Sequence, residues 1–372
     1  KNGEFTYIMP NKFMQAGYGR NARKFLLEHN IVEFLNFGDL QVFEEATTYP
    51  CILFAQKSNP NKDLKVINID TLKFPNGFQV YIDTHRNVIN QNSLNNETWI
   101  ISNSEDQDLL EKIKSISKPL NEFLTGVANY GIKTGLSSAF FINEKTKNQI
   151  TEVDPNSITL IKPMLRGRDI TPWYSKSENS YLIGTFPSLR LNIDNYTGIK
   201  NHLKSFGIKR LEQSGENGSR KKTSGKWFET QDSIAYWKEF ERPKIMYQRF
   251  QIKPCFIYDE EGQYCNDSVW IIPTDDKVLL GILNSKLGWW LISKYCTAIQ
   301  NGYQLIWKYF SQVPIATANE SQKIKITDKV NEIISEKKEN PHLDLSELES
   351  EIDQLVYQLY GLTDEEIKII EN

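Results

Sequence analysis

The sequence predicts an α+β protein whose character changes along its 372 residues. Residues 1–57 combine apolar strand-like runs with one helical pattern, residues 126–315 consist mainly of short β-type segments, and residues 316–372 carry two apolar stripes at helical spacing. The intervening residues 58–125 are polar and rich in Asn. We therefore expect the end of an α/β sheet, a linker with an entry segment, a mixed β-rich domain and a closing antiparallel helix pair.

The first block predicts the order strand, helix, strand, strand. Residues 5–9 predict a buried strand, and residues 31–37 and 49–56 predict two more, with a loop or short helix at 43–47. A helix is predicted over 18–29, and its spaced core residues are Ala22, Phe25, Leu26 and His29. Such a block is too short to be a domain alone, and the chain begins with Lys instead of Met. We therefore expect earlier strands in a longer protein.

Residues 58–125 predict little regular structure. A strand pair is expected near 65–70 and 79–83, and a helix is expected over 106–115. Leu109, Leu110 and Ile113 recur at helical spacing and predict the buried face of that helix.

The β-rich part opens with a loop bounded by Gly131 and Gly135, which feeds a strand ending at Ile142. Residues 236–240 predict a short helix, and residues 277–294 predict one long helix. The remaining predicted strands cover residues 158–163, 245–250, 255–258 and 268–272.

The tail predicts helices separated by Asn340-Pro341. Capping-box patterns pair Ser346 with Glu349 and Thr363 with Glu366. The two apolar stripes contain Ile326, Val330, Ile333 and Ile334, and Leu348, Ile352, Leu355, Val356 and Leu359.

The formal net charge of -3 hides a strong asymmetry. Residues 200–254 contain 13 Lys and Arg against 6 Asp and Glu, whereas residues 319–372 contain 6 against 14. A basic middle and an acidic tail are typical of a polyanion-binding centre followed by solvated helices. The aromatic share of 12% suits strands and also stacking on nucleic-acid bases.

No pattern in the sequence predicts a catalytic, metal or cofactor site. The four cysteines lack CxxC spacing, the four histidines are scattered, and the Glu-x-Lys patterns at Glu336 and Glu366 lie in the acidic tail. Buried reduced thiols, no apolar run near the ~20 residues of a membrane span, and no signal peptide predict a cytoplasmic protein without a membrane partner.

The segment Arg166-Gly167-Arg168-Asp169 is the strongest candidate for a nucleic-acid contact. Two guanidinium groups offer planar donors that fit phosphates and the acceptor edge of guanine. Gly167 permits a turn or a close approach, and Asp169 can pair with either arginine as a structural brace. The alternative is a turn with a surface ion pair.

Two further segments carry candidate contacts. Residues 206–227 are polar, basic and rich in Gly, so we expect them to be mobile when free and to order along a phosphate backbone. The alternative, to which we give the same weight, is an ordinary solvated loop without a DNA contact. Asn301 and Gln304 could each make two hydrogen bonds to adenine, although Asn-Gly is foremost a turn signal.

Four motifs near the start occur in the order found in a known family: Ile8-Met-Pro-Asn11, the basic helix around 20–27, residues 34–39 and residues 42–47. They resemble the last part of the catalytic domain of adenine-specific DNA methyltransferases. That resemblance implies that residues 1–57 are the C-terminal remnant of a class I methyltransferase domain. The family's Asn-Pro-Pro-aromatic motif and glycine-rich cofactor loop do not occur in this sequence, so we expect the chain itself to be non-catalytic.

Later motifs also occur in a known order: residues 131–142, 165–170, 227–228, 242–249, 279–286, 312–315 and 355–367. They resemble the C-terminal target-recognition (specificity) domain of TaqI-like methyltransferases and of fused type IIG restriction-modification enzymes. The resemblance implies a recognition domain over 126–315 and a helical hairpin over 316–372.

The resemblance implies sequence-specific recognition of double-stranded DNA for an adenine-specific methyltransferase or type IIG enzyme. S-adenosylmethionine would be the cofactor of the parent protein, Mg²⁺ would join it if a nuclease domain is present, and the missing N-terminal domain would be a partner. The alternative is a specificity or partner-docking subunit of a multi-chain restriction or phage-defence methyltransferase complex. The candidate DNA contacts are Lys133, Thr134, Ser137, Arg166, Arg168, Trp173, Arg190, Lys209, Arg210, Arg220, Lys221, Lys222, Lys226, Arg249, Asn301 and Gln304.

Overall fold

A computed structural model describes residues 3–45, 48–101, 104–124, 126–176, 179–299 and 301–371. Of the segment 43–47, Ala46 and Thr47 lie outside these residues, and 43–45 form no regular element. The chain divides into two compact units. Unit 1 contains Lys1–Leu120, Trp289–Thr317 and Tyr357–Asn372, and unit 2 contains Asn121–Gly288 and Ala318–Val356. The mixture of helices and sheets confirms the predicted α+β class.

The strands are β1 (Glu4–Pro10), β2 (Asn30–Asn36), β3 (Pro50–Gln56), β4 (Asp63–Asn68), β5 (Asn87–Asn90), β6 (Ser117–Pro119), β7 (Asn129–Tyr130), β8 (Phe141–Asn143), β9 (Ile161–Leu165), β10 (Ile170–Thr171), β11 (Tyr174–Ser175), β12 (Ser180–Ile183), β13 (Lys244–Gln248), β14 (Phe250–Gln251), β15 (Phe256–Asp259), β16 (Tyr264–Cys265), β17 (Val269–Pro273), β18 (Thr297–Ile299), β19 (Gly302–Gln304) and β20 (Pro314–Ala316).

The α-helices are α1 (Arg20–Leu27), α2 (Phe78–His85), α3 (Ser104–Ser115), α4 (Leu120–Phe123), α5 (Ser137–Phe140), α6 (Glu144–Val153), α7 (Thr197–Lys204), α8 (Ile208–Leu211), α9 (Lys277–Asn284), α10 (Lys286–Tyr295), α11 (Trp307–Phe310), α12 (Glu320–Glu339), α13 (Ser346–Leu359) and α14 (Asp364–Glu371). Short 3-10 turns include Gly167–Asp169 and Trp237–Glu241, the latter at the predicted short helix.

Unit 1 is built on a sheet with the strand order β1-β3-β2-β4-β5. The pair β2–β4 is parallel, and the other three pairs are antiparallel. Strands β2 and β3 confirm the predicted segments 31–37 and 49–56, and α3 confirms the helix with buried Leu109, Leu110 and Ile113. The sheet continues beyond residue 57, because β4 and β5 belong to it.

Three predictions for unit 1 were wrong in detail. Residues 5–9 form a strand, but β1 is an edge strand and is mostly exposed instead of buried. Residues 79–83 lie in helix α2 instead of a strand, and β5 is the partner of β4. Helix α1 leaves Ala22 and Phe25 exposed and buries Arg23 and Leu26.

Arg23 is buried because backbone carbonyls satisfy its guanidinium. Its nitrogens donate to the carbonyls of Phe13, Ala16, Asn96 and Glu97. Burial lowers the pKa of Arg23, and the Glu97 carboxylate opposes that shift. A charged residue thus takes a core position that the apolar pattern assigned to its neighbours.

Unit 2 contains two four-stranded sheets, with the orders β16-β9-β12-β8 and β15-β13-β17-β7. One continuous set of buried apolar residues, from Ile132 to Ile271, joins them. Strands β13, β15 and β17 confirm the segments predicted at 245–250, 255–258 and 268–272. In β13, buried Lys244 pairs with the carboxylate of Asp259 on β15 and also donates to the Phe240 carbonyl.

The helix predicted over 277–294 is divided at Ser285 into α9 and α10. Ser285 has extended backbone angles, and its hydroxyl donates to the Ile282 carbonyl at 2.7 Å while accepting the Gly288 N–H at 3.0 Å. A Cβ atom added at Gly288 would lie 2.0 Å from the Ile282 oxygen, so the break requires glycine there.

In the tail, α12 and α13 are linked by an ion pair of 2.9 Å between Lys329 and Glu351. The predicted capping box of Thr363 and Glu366 is confirmed, with hydrogen bonds of 2.8 and 3.3 Å. The box predicted for Ser346 and Glu349 was wrong, because Asp344 accepts the Ser346 N–H and Glu349 bonds elsewhere.

Candidate nucleic-acid interface

The Arg166–Asp169 segment forms a tight 3-10 turn directly after β9. The buried carboxylate of Asp169 accepts the Arg166 N–H at 2.7 Å, and the Asp169 N–H donates to the Arg166 carbonyl at 2.9 Å. Asp169 Oδ1 lies 3.7 Å from Arg168 Nε, and the Arg168 side chain is 66% exposed. The carboxylate therefore fixes the turn from inside while the second guanidinium reaches the surface.

Strand β13 supports this turn through hydrogen bonds from the side chain of Gln248. The side-chain amide of Gln248 donates to the carbonyls of Gly167 and, at 3.0 Å, Ile170. A Cβ atom at Gly167 would lie 2.9 Å from the Ser268 hydroxyl, so glycine permits the close approach of the two segments. Arg166 is half-buried, with its guanidinium carbon 5.9 Å from the centre of the Phe141 ring.

Arg220 organises a second basic segment from the interior. Its guanidinium donates to four backbone carbonyls, at 2.6–2.9 Å: those of Thr134, Leu211, Trp227 and Glu229. The residue is 4% exposed, and burial lowers its pKa to about 10, against the opposing effect of Glu229. Arg220 thus joins the Gly131–Gly135 loop, helix α8 and residues 227–229.

Residues 212–223 form an irregular hairpin around Arg220. The Arg220 N–H donates to the Glu212 carbonyl at 2.9 Å, and the Thr223 N–H donates to the Gln213 carbonyl at 3.0 Å. Lys221 and Lys222 are exposed on one arm, and Glu212 and Glu216 are exposed on the other arm and the tip. The expectation of a mobile basic segment did not include the hydrogen bonds by which buried Arg220 holds these residues from inside.

A surface cavity of about 440 Å³ lies beside this hairpin. Arg190 and Lys226, both exposed, line it together with Gln231. The Gln231 N–H donates to the carbonyl of exposed Lys133 at 3.0 Å, which links the Gly131–Gly135 loop to a residue that lines the cavity. Arg190 has a φ of 49°, a left-handed conformation that non-glycine residues adopt rarely.

The two basic groups are neighbours in the fold. Ile132 forms a parallel bridge with Asn266, and Cys265 pairs with Leu165 in the parallel β16–β9 ladder. Since adjacent strands lie about 4.8 Å apart, the backbones of Lys133 and Arg166 are separated by roughly 10 Å. The acidic side chains of Asp169 and Glu229 in this region are buried. Cations of the two groups therefore lie on adjoining segments, together with the exposed carboxylate of Asp267.

Three predicted contacts lie inside the protein. Thr134, Trp173 and Arg220 are 2%, 3% and 4% exposed. Their side chains pack or bond within unit 2, so this structure does not offer them to a surface partner. The sequence could not separate them from their exposed neighbours, because Arg and Thr are ordinarily surface residues.

The remaining predicted residues lie at different places. Ser137, Lys209 and Arg210 are exposed on α5 and α8. Arg249 is half-buried after β13. Asn301 is exposed with a φ of 62° in the turn between β18 and β19, and Gln304 is half-buried, both within unit 1. The predicted turn at Asn301-Gly302 is thereby confirmed.

The described ranges contain no group of three or more His, Cys, Asp or Glu residues that could hold a metal ion. All four cysteines are buried and free, and burial raises the pKa of the Cys51 thiol to about 12 and that of Cys255 to about 11. Such thiols are poor nucleophiles. In the same ranges, no helix combines the length and apolarity needed to cross a membrane.

Two parts of the chain match known protein families. Residues 162–315 match the TaqI-like C-terminal specificity domain, and residues 1–43 match the Eco57I restriction-modification methylase family. The resemblance predicted from the sequence is confirmed. The first match contains the Arg166–Asp169 turn, Arg220 and strands β13, β15 and β17.

Two curated proteins, both type II enzymes that include a methyltransferase, are similar to this chain. The chain is 29% identical over 150 residues to the type II restriction enzyme and methyltransferase RM.Eco57I of Escherichia coli, covering 40% of this chain and 14% of that protein. It is 21% identical over 394 residues to the type II methyltransferase M.BstVI of Geobacillus stearothermophilus, covering 100% of this chain and 66% of that protein. The chain thus spans only part of each relative.

One solved structure shares the fold over nearly the whole chain. It is the type IIL restriction-modification enzyme MmeI in complex with DNA, with a TM-score of 0.61 at 12% identity. The match covers 98% of this chain and 48% of that one.

Proposed function

We propose that the β-rich part of this chain recognises a specific double-stranded DNA sequence for a larger adenine-specific methyltransferase, of the fused type IIG restriction-modification kind. The observation that carries the proposal is the group of cations around the Arg166–Asp169 turn and the Arg220 frame. The match of residues 162–315 to a specificity domain supports it, as do the relatives, which are type II restriction-modification enzymes.

The surface is suited to two kinds of contact. Lys133, Arg190, Lys221, Lys222 and Lys226 are exposed and point charges toward solvent, so we assign them to phosphates. Arg168 extends from a turn whose backbone is fixed, so its planar donors suit the O6 and N7 acceptors of guanine in the major groove. A fixed backbone reduces the ordering that binding requires, which favours discrimination between sequences.

Methyl transfer belongs to the parent protein in this proposal. The Asn-Pro-Pro-aromatic motif does not occur in these 372 residues, so the adenine would be flipped and modified by residues outside them. S-adenosylmethionine would be bound there as well. Mg²⁺ enters the proposal only if the parent also contains a nuclease domain.

Titration of duplex DNA against this chain at about 50 and about 200 mM salt tests the proposal. Five phosphate contacts predict a slope of log affinity against log salt of roughly −4 to −5. A variant with Lys221→Glu and Lys222→Glu should flatten that slope by about 2. The matched control replaces exposed Lys323 and Lys325 on α12 by Glu, with the same change in net charge.

Equal weakening in the two variants, or binding that ignores salt, would contradict the proposal. If the salt titration supports DNA binding, comparison of host methylomes with and without the gene gives the recognised sequence and the modified base together.

A further inference from the structure

A short segment after β13 exposes two large apolar side chains. Phe250 is 51% exposed and Ile252 is 71% exposed. Isolated apolar residues are common on protein surfaces. These two, however, flank a single buried residue and lie in the unit that carries the cationic surface.

Gln251 holds this segment in one shape. It is 2% exposed, and its side-chain amide donates to the carbonyls of Gln248 and Cys255 at 3.1 and 3.3 Å while accepting the Cys255 N–H at 3.0 Å. Pro254 further restricts the backbone. In strand β14 the side chains of Phe250 and Gln251 point to opposite sides, so an inward Gln251 directs Phe250 outward. Ile252 is exposed in the bend that follows.

The segment adjoins the Arg166–Asp169 turn. Gln248, two residues before Phe250, bonds the carbonyls of Gly167 and Ile170, and the Arg249 N–H donates to the Ser268 carbonyl at 3.0 Å. Arg249 lies with its guanidinium carbon 5.3 Å from the centre of the Phe250 ring. Exposed Lys253 follows Ile252. Cations therefore stand on both sides of the apolar pair.

We propose that Phe250 and Ile252 form a wedge that inserts between stacked base pairs of the DNA held by the cationic surface. This inference rests on the function proposed above. Phe and Ile are among the residues that proteins insert between base steps, where the apolar side chain replaces part of the lost stacking. Exposed Lys253 supplies a cation for a phosphate next to the opened step, and the hydrogen bonds of Gln251 limit the entropy that the segment loses on insertion.

The wedge predicts a preference for DNA that already contains a gap in its stack. The full chain is titrated with two short duplexes of the same sequence, one intact and one with a single central abasic site. The wild-type chain should bind the abasic duplex roughly tenfold more tightly, because part of the unstacking is already done. The variant with Phe250→Ala and Ile252→Ala should bind the intact duplex with an unchanged salt slope and should lose the preference to within about twofold.

Matched controls separate insertion from general loss of apolar surface. Replacing Phe25 and Ile324 by Ala removes residues that are 54% and 61% exposed on α1 and α12, and this variant should keep the preference. Phe250→Leu keeps an apolar wedge and should also keep it. Equal wild-type affinity for both duplexes, or a preference that survives in the double alanine variant, would overturn the wedge. Failure of the wild-type chain to bind either duplex would instead refute the proposed function itself.

Discussion

The indole Nε1–H of Trp173 donates a 2.9 Å hydrogen bond to the carboxylate of Glu349, which ties the segment after the Arg166–Asp169 turn to helix α13. Trp173 is 3% exposed and has a φ of 68°, which is unfavourable for a bulky residue. The backbone N–H of Trp173 also donates to the Phe256 carbonyl at 3.1 Å. These bonds hold a strained residue in place, and they make Trp173 a structural anchor of the candidate interface.

Glu349→Ala should therefore lower the free energy of unfolding by about 1–3 kcal/mol, because the buried indole N–H loses its acceptor. Urea denaturation measures this change. Glu347→Ala is the matched control, since it also removes an acid from the first turn of α13 but is exposed. Equal losses in the two variants would show that the effect comes from the helix terminus alone.

Asp169 and Arg168, the two charged neighbours in the Arg166–Asp169 turn, should respond differently to substitution. Asp169→Ala removes the buried acceptor of the Arg166 N–H and should destabilise the chain by about 1–3 kcal/mol. Arg168→Ala removes an exposed side chain and should change stability by less than about 0.5 kcal/mol while weakening DNA binding. Melting temperatures and duplex titrations of both variants provide the comparison. Similar melting temperatures would contradict the assigned role of Asp169.

Arg220→Lys should destabilise the chain by about 2–3 kcal/mol, because a lysine offers no planar fork for four carbonyls. Lys221→Ala, one residue along, should leave stability within about 0.5 kcal/mol and reduce the salt slope of DNA binding by about 1. Chemical denaturation and salt titration of the two variants distinguish the structural role of Arg220 from the DNA contact proposed for Lys221. An Arg220→Lys variant as stable as the wild type would contradict the structural role of Arg220.

Stability should depend on pH through His202. Burial lowers its pKa, and the hydrogen bond between its Nε2 and the Ala139 carbonyl, at 3.0 Å, opposes that shift. The folded state therefore binds the proton less readily than the unfolded state. Stability should fall as the pH drops through the unfolded value of about 6.5 and should level off below the folded pKa.

His202→Gln should flatten this pH dependence in denaturation curves measured between about pH 7.5 and 5. Exposed His342→Gln is the control and should leave it unchanged. If the stability of the wild-type chain rises as the pH is lowered over this interval, the inferred direction of the His202 pKa shift is wrong.

Prediction from sequence succeeded where one local pattern dominates. Continuous apolar runs defined β2 and β3, and the spacing of Leu109, Leu110 and Ile113 defined α3. It failed at 79–83, where a strand was expected and helix α2 is found. There, Phe74 packs against Phe78 and Tyr81 at centroid distances of 4.8 and 5.2 Å, and the resulting spacing favours helix α2.

The candidate interface was predictable in composition but not in arrangement. The sequence placed cations at 166–168 and 209–226, and the structure brings several of them onto adjoining segments. Whether they contact DNA stays a prediction. The burial of Arg220 could not be foreseen, because it depends on carbonyls that come together only in the folded chain. Arg23 in unit 1 illustrates the same limit.

The hydrogen bonds of Arg220 to the carbonyls of Thr134, Leu211, Trp227 and Glu229 (the Arg220 frame) fix the backbone of the basic segment independently of its surface side chains. Its guanidinium bonds only main-chain oxygens, which every residue type supplies, so the frame is indifferent to the side chains at 221, 222 and 226. Those positions can exchange residues over generations without refolding the hairpin. Since the lysines at these positions are proposed to bind phosphates, substitutions there would change the strength and salt response of DNA binding, while the buried arginine keeps the presenting backbone constant.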